Sequence, residues 1–268
     1  MHKRDWLEGS CVIVTGSTHG IGRTLAEQCA ERGAHTVVNG RTRETVRTTV
    51  DALRGRQQSV LGVVADVTDP LQVEQLVRYS AEKYGRIDAL LNIVGSSGVR
   101  GSLLECSSEG IRALIEQNIF SLMNVTREAL PHLRRSHGRV VNMGSLASLI
   151  APPNYGGYAV AKYGVKAATE QLRMEHPDMS FTLACPGPIR DDAKERVAGG
   201  TDCEGLDPQQ LAADILDAAG RRKRMIVRPR SARALALLLQ VWPSLGERIL
   251  RRFSQVPTAR GEEDTVAF

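Results

Sequence analysis

Cysteine is sparse in this chain and forms no pattern. The five, Cys11, Cys29, Cys106, Cys185 and Cys203, are scattered, odd in number and without CxxC spacing. Neither a disulfide framework nor a zinc site is indicated, and a reducing compartment fits. Aromatic residues make up only 4%, too few for the stacking surface that nucleic-acid binders use. No run of about 18 apolar residues exists, so no membrane span is expected. The opening MHKRDWLEG meets the short run CVIVTG at once, and a run so brief and so soon followed by glycines is no signal peptide. These absences predict a cytoplasmic globular protein with no nucleic-acid partner.

What is present suits a packed core. Of 268 residues 42% are apolar and 25 are glycine, a mixture that favours strand and helix layers. The net charge is +5, and the basic residues crowd between Arg221 and Arg252. Such a charge permits an anionic ligand, nucleic acid or an anionic membrane surface as partner, and the basic cluster lacks the interleaved aromatics that nucleic acid would call for.

Along the chain, Cys11 to Val14 is a short β-branched run, followed by Thr15-Gly16-Ser17-Thr18-His19-Gly20-Ile21-Gly22 and a helical pattern that stops at Gly33. Strand, glycine turn and helix in this order bring backbone N–H groups and a positive helix end to a diphosphate. The alternative is an ordinary tight turn. The next strand, HTVVNGR, ends with Gly40 and Arg41 where dinucleotide folds binding NAD carry an acidic residue for the ribose. A guanidinium without that carboxylate favours the 2′-phosphate of NADP(H) over NAD(H), and His19 and Arg43 add to the positive pocket. A third strand ends near Asp66 and Val67. The Asp66 carboxylate either meets an adenine amino group or caps the helix that starts near Asp69-Pro70.

A fourth strand, IDALLNIVG, carries Asn92 and Gly95 near its end, with Ile93 and Val94 crowding the place where a cofactor would pass. A long amphipathic pattern from Ser107 holds Asn118 among apolar neighbours, which suits a hydrogen-bonded helix-kink amide or a catalytic one. A fifth strand delivers Ser145 at its end. In the stretch that follows, Tyr158 and Lys162 stand at i and i+4 on one helix face. An ammonium beside a phenol favours the phenolate and moves its pKa toward the working range; alone, the same pair is surface decoration. A sixth strand, FTLACPGPI, ends in Pro186-Gly187, and RMIVRP suggests a last one. The order predicts an α/β fold, a Rossmann-type doubly wound parallel sheet, in one domain over residues 8–230. The polar stretch Asp191 to Asp207 is a lid candidate.

With these residues in hand, the chain resembles the short-chain dehydrogenase/reductase family over about residues 8 to 230. Thr15, Gly16, Gly20, Ile21 and Gly22 match its TGxxxGIG turn, Asn92 and Gly95 stand where its NNAG motif lies, and Asn118, Ser145, Tyr158 and Lys162 match its catalytic set. The resemblance implies hydride transfer between a nicotinamide and a carbonyl or alcohol carbon of a small molecule, without a metal. Tyr158 would give or take the oxygen's proton, Ser145 would hold that oxygen, Lys162 would lower the tyrosine pKa and bond the nicotinamide ribose, and Asn118 would support a water relay. Ser17, Thr18 and His19 of the turn, together with Arg41, Asp66 and Val67, join the cofactor set. Where the family often has a threonine after Pro186-Gly187, this chain leaves the backbone of Ile189 to meet the carboxamide. The family's dimers and tetramers commonly use the helices over 107–133 and 158–174.

Residues 231–268 form a basic extension. Ala232 to Val241 is an apolar helix candidate, Pro243 breaks it, and Leu245 to Phe253 continues amphipathically; the remainder is polar and expected to be frayed. The pair resembles tails of reductases in the group of the 11β-hydroxysteroid dehydrogenases, which favour lipophilic ketones. It would close over the site, pack in a dimer, or lie on an anionic membrane through residues 231–253. The substrate pocket is expected from Gly95 to Leu104, Ala147 to Tyr155 and the loop after Ile189. The rival to the enzyme is a catalytically silent NADP(H)-binding sensor or scaffold.

Overall fold

The computed structural model describes residues 5–54, 59–98, 101–190 and 205–253. Residues 191–204 of the lid candidate, Cys203 among them, and the tail from 254 onward lie outside the described residues. Seven strands form one parallel sheet: β1 (Cys11–Val14), β2 (His35–Gly40), β3 (Val60–Val64), β4 (Ala89–Asn92), β5 (Arg139–Met143), β6 (Ser180–Pro186) and β7 (Met225–Arg228). Their order across the sheet is β3-β2-β1-β4-β5-β6-β7. The chain therefore winds outward from β1 in one direction and from β4 in the other, opening a crevice beyond the strand ends where the order reverses. Fully buried strands such as CVIV, and ALLN with its apolar Ala-Leu-Leu, are what a sheet covered on both faces requires.

One face is covered by α1 (Gly20–Glu31), α2 (Arg43–Arg54) and α7 (Pro208–Gly220), the other by α3 (Pro70–Tyr84), α5 (Ser121–Arg135) and α6 (Gly157–Glu175), with α4 (Ser108–Ile115) packed against α6. Local chemistry starts and stops these helices. Asp69 caps α3 by accepting from Leu71 N and Gln72 N, Pro70 occupies its first turn, and Gly85 ends it in the left-handed region. Asp207 and Pro208 start α7 in the same manner.

The long pattern from Ser107 is two α-helices joined by a π-turn over Glu116–Phe120. Its cause is Asn118. The side-chain Nδ2 donates to the carbonyl of Leu114, four residues back, and so competes for an acceptor of the regular ladder. The backbone N–H of Ser121 bonds Glu116 O, five residues back.

A polar ladder crosses the interior beside this turn. Asn92 and Asn142 are register partners on β4 and β5. Asn92 Nδ2 donates to Thr126 Oγ1 at 3.1 Å and to Asn142 Oδ1 at 2.9 Å, and Asn142 Nδ2 donates to Thr169 Oγ1 at 2.9 Å. The two strands are thereby tied to α5, which follows the turn that holds Asn118, and to α6, which carries Tyr158 and Lys162.

Beyond β7 come α8 (Ser231–Val241) and α9 (Pro243–Phe253), with Trp242 between them. Ala232, Leu235, Ala236 and Leu239 seat α8 against Val227, Leu183, Leu149 and Ile150. Among the described residues no helix is long and apolar enough to cross a membrane.

Asn142→Leu keeps the volume but leaves one of the two N–H bonds of the buried Asn92 Nδ2 without its acceptor. The expected loss is about 1–3 kcal/mol, seen as a lower urea midpoint at unchanged slope; an unchanged midpoint would show that the ladder carries no stability.

Candidate active site

The crevice at the sheet's reversal point has a volume of about 620 Å³. Gly16, Thr18, His19, Gly20, Ile21 and Gly22 form one wall, Gly40, Arg41, Asp66 and Val67 the rim beyond β2 and β3, and Ile93, Val94 and Gly95 the opposite side. Gly16 has φ +62, a conformation that costs glycine least. A Cβ on Gly22 would lie 2.3 Å from Gly16 O, so the turn and α1 approach too closely for any side chain. His19 caps α1 without a side-chain bond, and no acidic residue stands in the first turn. The helix N–H groups there remain open to an anion, which fits the diphosphate of a dinucleotide.

Two polar residues hold this wall from behind. Thr15 Oγ1 accepts from Ile93 N at 3.0 Å and Val94 N at 3.4 Å, pinning the loop after β4 to the glycine turn. Asn39 Oδ1 accepts from Gly16 N at 3.3 Å, while its Nδ2 donates to Ala65 O at 3.0 Å. The crowding expected of Ile93 and Val94 is matched by glycine: their Cγ2 atoms lie 3.3 and 3.0 Å from where Cβ atoms on Gly22 and Gly16 would be.

Some predicted residues serve differently. Ser17 is buried; its Oγ donates to Val14 O and accepts from Asn39 N, so its side chain braces the turn. Asn92 turns into the polar ladder and away from the crevice. Asp66 is not the cap of α3: its Oδ1 accepts from Thr68 N and Oγ1, and Asp69 does the capping, because the backbone reaches N-cap geometry only there. Asp66 therefore keeps its place on the crevice rim. Arg41 is exposed at that rim, whereas Arg43 opens α2 and is not among the lining residues.

The candidate catalytic corner is built around a buried cation. Lys162 is 4% exposed, its Nζ donates to Met143 O at 2.9 Å, and it stands 5.7 Å from the centre of the Tyr158 ring. Burial pulls its pKa down from 10.5 to about 8. Gly95 packs against this group: a Cβ there would lie 2.6 Å from Asn118 Oδ1 and 3.1 Å from Lys162 Nζ. Asn118 Nδ2 donates to Ser96 O and Leu114 O, both at 2.9 Å, and its buried Oδ1 has no partner among the described residues. An orphaned acceptor beside an ammonium suits a bridging water.

Ser145 follows β5 two residues after Met143, and its Oγ accepts from Ala147 N at 3.1 Å at the head of the turn Leu146–Ser148. Behind it, burial pushes the Cys185 thiol up to about 12, close to the Ser145 backbone and Lys162. Tyr158 and Tyr155 lie with ring centroids 6.4 Å apart. The substrate-side loops are strapped together, since Gly101 N donates to Asn154 O and Gly156 N to Gly101 O. Pro186 ends β6, Gly187 N donates to Arg228 O at 2.7 Å, and Ile189 pairs with Leu206 in an isolated bridge; none of the three lines the crevice described above. No group of His, Cys, Asp or Glu that could hold a metal occurs among the described residues.

Besides Thr15, already named in the glycine-turn motif, Asn39 and Asn142 are supporting residues that sequence reasoning passed over as site determinants. The available signal was a polar residue at a strand position otherwise filled by buried apolar side chains.

Residues 10–199 match the family model for short chain dehydrogenases. Oxidoreductase UcpA of Escherichia coli is 32% identical over 221 residues, covering 81% of this chain and 82% of that protein. A granaticin polyketide synthase ketoacyl reductase of Streptomyces violaceoruber is 34% identical over 190 residues, 69% of this chain and 70% of that one. In fold, a short-chain dehydrogenase/reductase of Burkholderia phymatum, in complex with NAD, superimposes with a TM-score of 0.80 at 23% identity, over 89% of this chain and 95% of its own. With the glycine wall, the buried lysine and the tyrosine in place, the chain belongs to the short-chain dehydrogenase family and is an oxidoreductase of it.

Proposed function

We propose that the protein is an NADP(H)-dependent oxidoreductase that moves a hydride between the nicotinamide and a carbonyl or alcohol carbon of a lipophilic small molecule, with Tyr158 as general acid and base. The observation that carries this reading is the buried Lys162 ammonium beside the Tyr158 ring. A cation held out of water favours the phenolate strongly, because little solvent screens it. A binding scaffold has no use for so costly an arrangement.

When bound, the nicotinamide supplies or accepts the hydride. Negative charge grows on the carbonyl oxygen in reduction, and hydroxyl donors from Ser145 and Tyr158 stabilise that charge more than the neutral ground state. Tyr158 then gives its proton. Lys162 keeps the resulting phenolate stable, and the orphaned Asn118 Oδ1 holds a water through which the proton is restored. Thr18, His19, Gly20, Ile21, Gly22 and Gly95 cradle the dinucleotide, with Asp66 and Val67 at the adenine.

NADP(H) preference rests on Gly40 and Arg41. A Cβ on Gly40 would lie 2.5 Å from Thr18 Cγ2, so a carboxylate for a free ribose hydroxyl finds no room unless Thr18 turns. Arg41 on the same rim offers a guanidinium to a 2′-phosphate. A lipophilic substrate is supported by Leu146, Leu149 and Ile150, the apolar residues that follow Ser145. The ketoacyl reductase among the relatives supports a carbonyl as its reacting group. Exposed Phe120 of the π-turn and Val160 and Tyr163 of α6 support a homodimer or homotetramer. The unpaired state of Cys11, Cys29, Cys106 and Cys185 suits a reducing compartment.

Tyr158→Phe is expected to lower kcat by about 100- to 10,000-fold while NADPH affinity, read by fluorescence titration, stays within a few-fold; near-normal turnover rejects the proton-donor role. Arg41→Asp is expected to raise KM for NADPH at least ~10-fold with little change for NADH, and equal losses remove Arg41 from the phosphate.

The third test is thermodynamic. The folded pKa of Lys162 lies below its ordinary 10.5 at about 8, so the unfolded chain binds more protons between those values. This group's contribution to stability therefore rises with pH through that window, and below 8 the full cost of burying the ammonium is present. Lys162→Met removes that cost. Its stability advantage over the parent is expected to shrink by on the order of 3 kcal/mol between pH 7.5 and 10.5, measured as the difference in urea unfolding; a pH-independent difference would mean that Lys162 is buried without penalty.

A further inference from the structure

The helix α8 presents two unlike faces. Ala232, Leu235, Ala236 and Leu239 face inward, and the outward side runs through Arg233, Leu237 and Val241 toward Trp242 and Leu245. Spacings of four along a helix keep Arg233, Leu237 and Val241 in one stripe. Leu237 is 51% exposed, Val241 81%, Trp242 63% and Leu245 38%. A protein that meets only water rarely gathers such large apolar side chains at one place.

Beside this stripe lies a groove of about 780 Å³ along the edge strand β7, lined by Arg221, Lys223, Arg224, Arg228, Arg230 and Arg233 with Asp214 and Asp217. Asp214 pairs with Arg228 of the groove itself, and Asp217 with Arg32 outside it. Arg221, Lys223, Arg224, Arg230 and Arg233 make no ion pair with another described residue. Cations on an edge strand also discourage strand pairing between copies, but that purpose gives no reason for the exposed apolar stripe next to them.

We propose that this combined surface docks on an anionic lipid bilayer, the arginines and Lys223 meeting the headgroup phosphates and carboxylates while Leu237, Val241, Trp242 and Leu245 enter the interface. Charge decides between occupants. A second copy placed on this face by a two-fold axis would set the basic grooves of both copies against each other, whereas an anionic leaflet attracts every one of these cations. Trp242 at the tip has the apolar body and polar N–H that favour the headgroup level. The rigid mounting of α8 on Leu149 and Ile150, just beyond Ser145, places the contact beside the substrate-side loop.

The test is sedimentation of the full chain with vesicles of phosphatidylcholine, with and without phosphatidylserine, at low and high salt. Binding is expected only with phosphatidylserine, weakened by salt and accompanied by a blue shift of tryptophan emission that Trp242→Ser abolishes. Arg230→Glu with Arg233→Glu, and separately Leu237→Ser with Val241→Ser, are each expected to lower the bound fraction at least ~10-fold, with turnover of a water-soluble carbonyl in solution unchanged. No binding to phosphatidylserine vesicles at low salt overturns the proposal. So does light scattering that finds a dimer lost in Trp242→Ser, which would assign the stripe to a second copy. Both results leave the oxidoreductase reading standing, because turnover is measured without lipid.

Discussion

The 2.9 Å bond from the Lys162 ammonium to the Met143 carbonyl is the contact around which the catalytic corner is arranged. An ammonium stripped of water is expensive, and a single backbone acceptor does not repay its hydration. The neighbourhood answers by keeping space and polarity around it. Gly95 leaves room where a side chain would collide, and the Asn118 carboxamide turns an unpartnered oxygen toward the same place. The pKa near 8 records the remaining imbalance.

Holding that corner requires the strand ends and the helices to keep a fixed relation. The Thr126–Asn92–Asn142–Thr169 ladder supplies it with oriented hydrogen bonds inside the protein. Apolar packing alone tolerates small slides between layers, whereas a buried donor that loses its acceptor is penalised directly. On the cofactor side Thr15 and Asn39 do the same for the glycine turn. Residues that brace the walls of the crevice thus set the positions of those that would meet a ligand.

Local rules carried much of the architecture. Strand runs with β-branched residues, the glycine stop after α1 and the Asp69-Pro70 start of α3 depend on neighbours only a few residues away, and each lies where the sequence places it. The π-turn was hidden, because it arises when Asn118 reaches Ser96 as well as Leu114, and Ser96 is 22 residues distant in the chain. Ser17 and Asn92 looked like ligands in a motif and are braces in the fold. A motif records which residue is needed, and the direction of its side chain depends on what packs behind it.

The sequence by itself determined the order of strands and helices, the parallel winding, the glycine turn and the pairing of Tyr158 with Lys162 on one helical face, since all follow from periodicity and short-range sterics. Only the tertiary structure decided that Lys162 is dry, that Asn118 keeps a free acceptor, that Gly40 is closed by Thr18, and that the outer side of α8 is left apolar beside a basic groove. Burial and charge environment are sums over residues brought together from distant parts of the chain, so they exist only once the sheet and its helices are assembled.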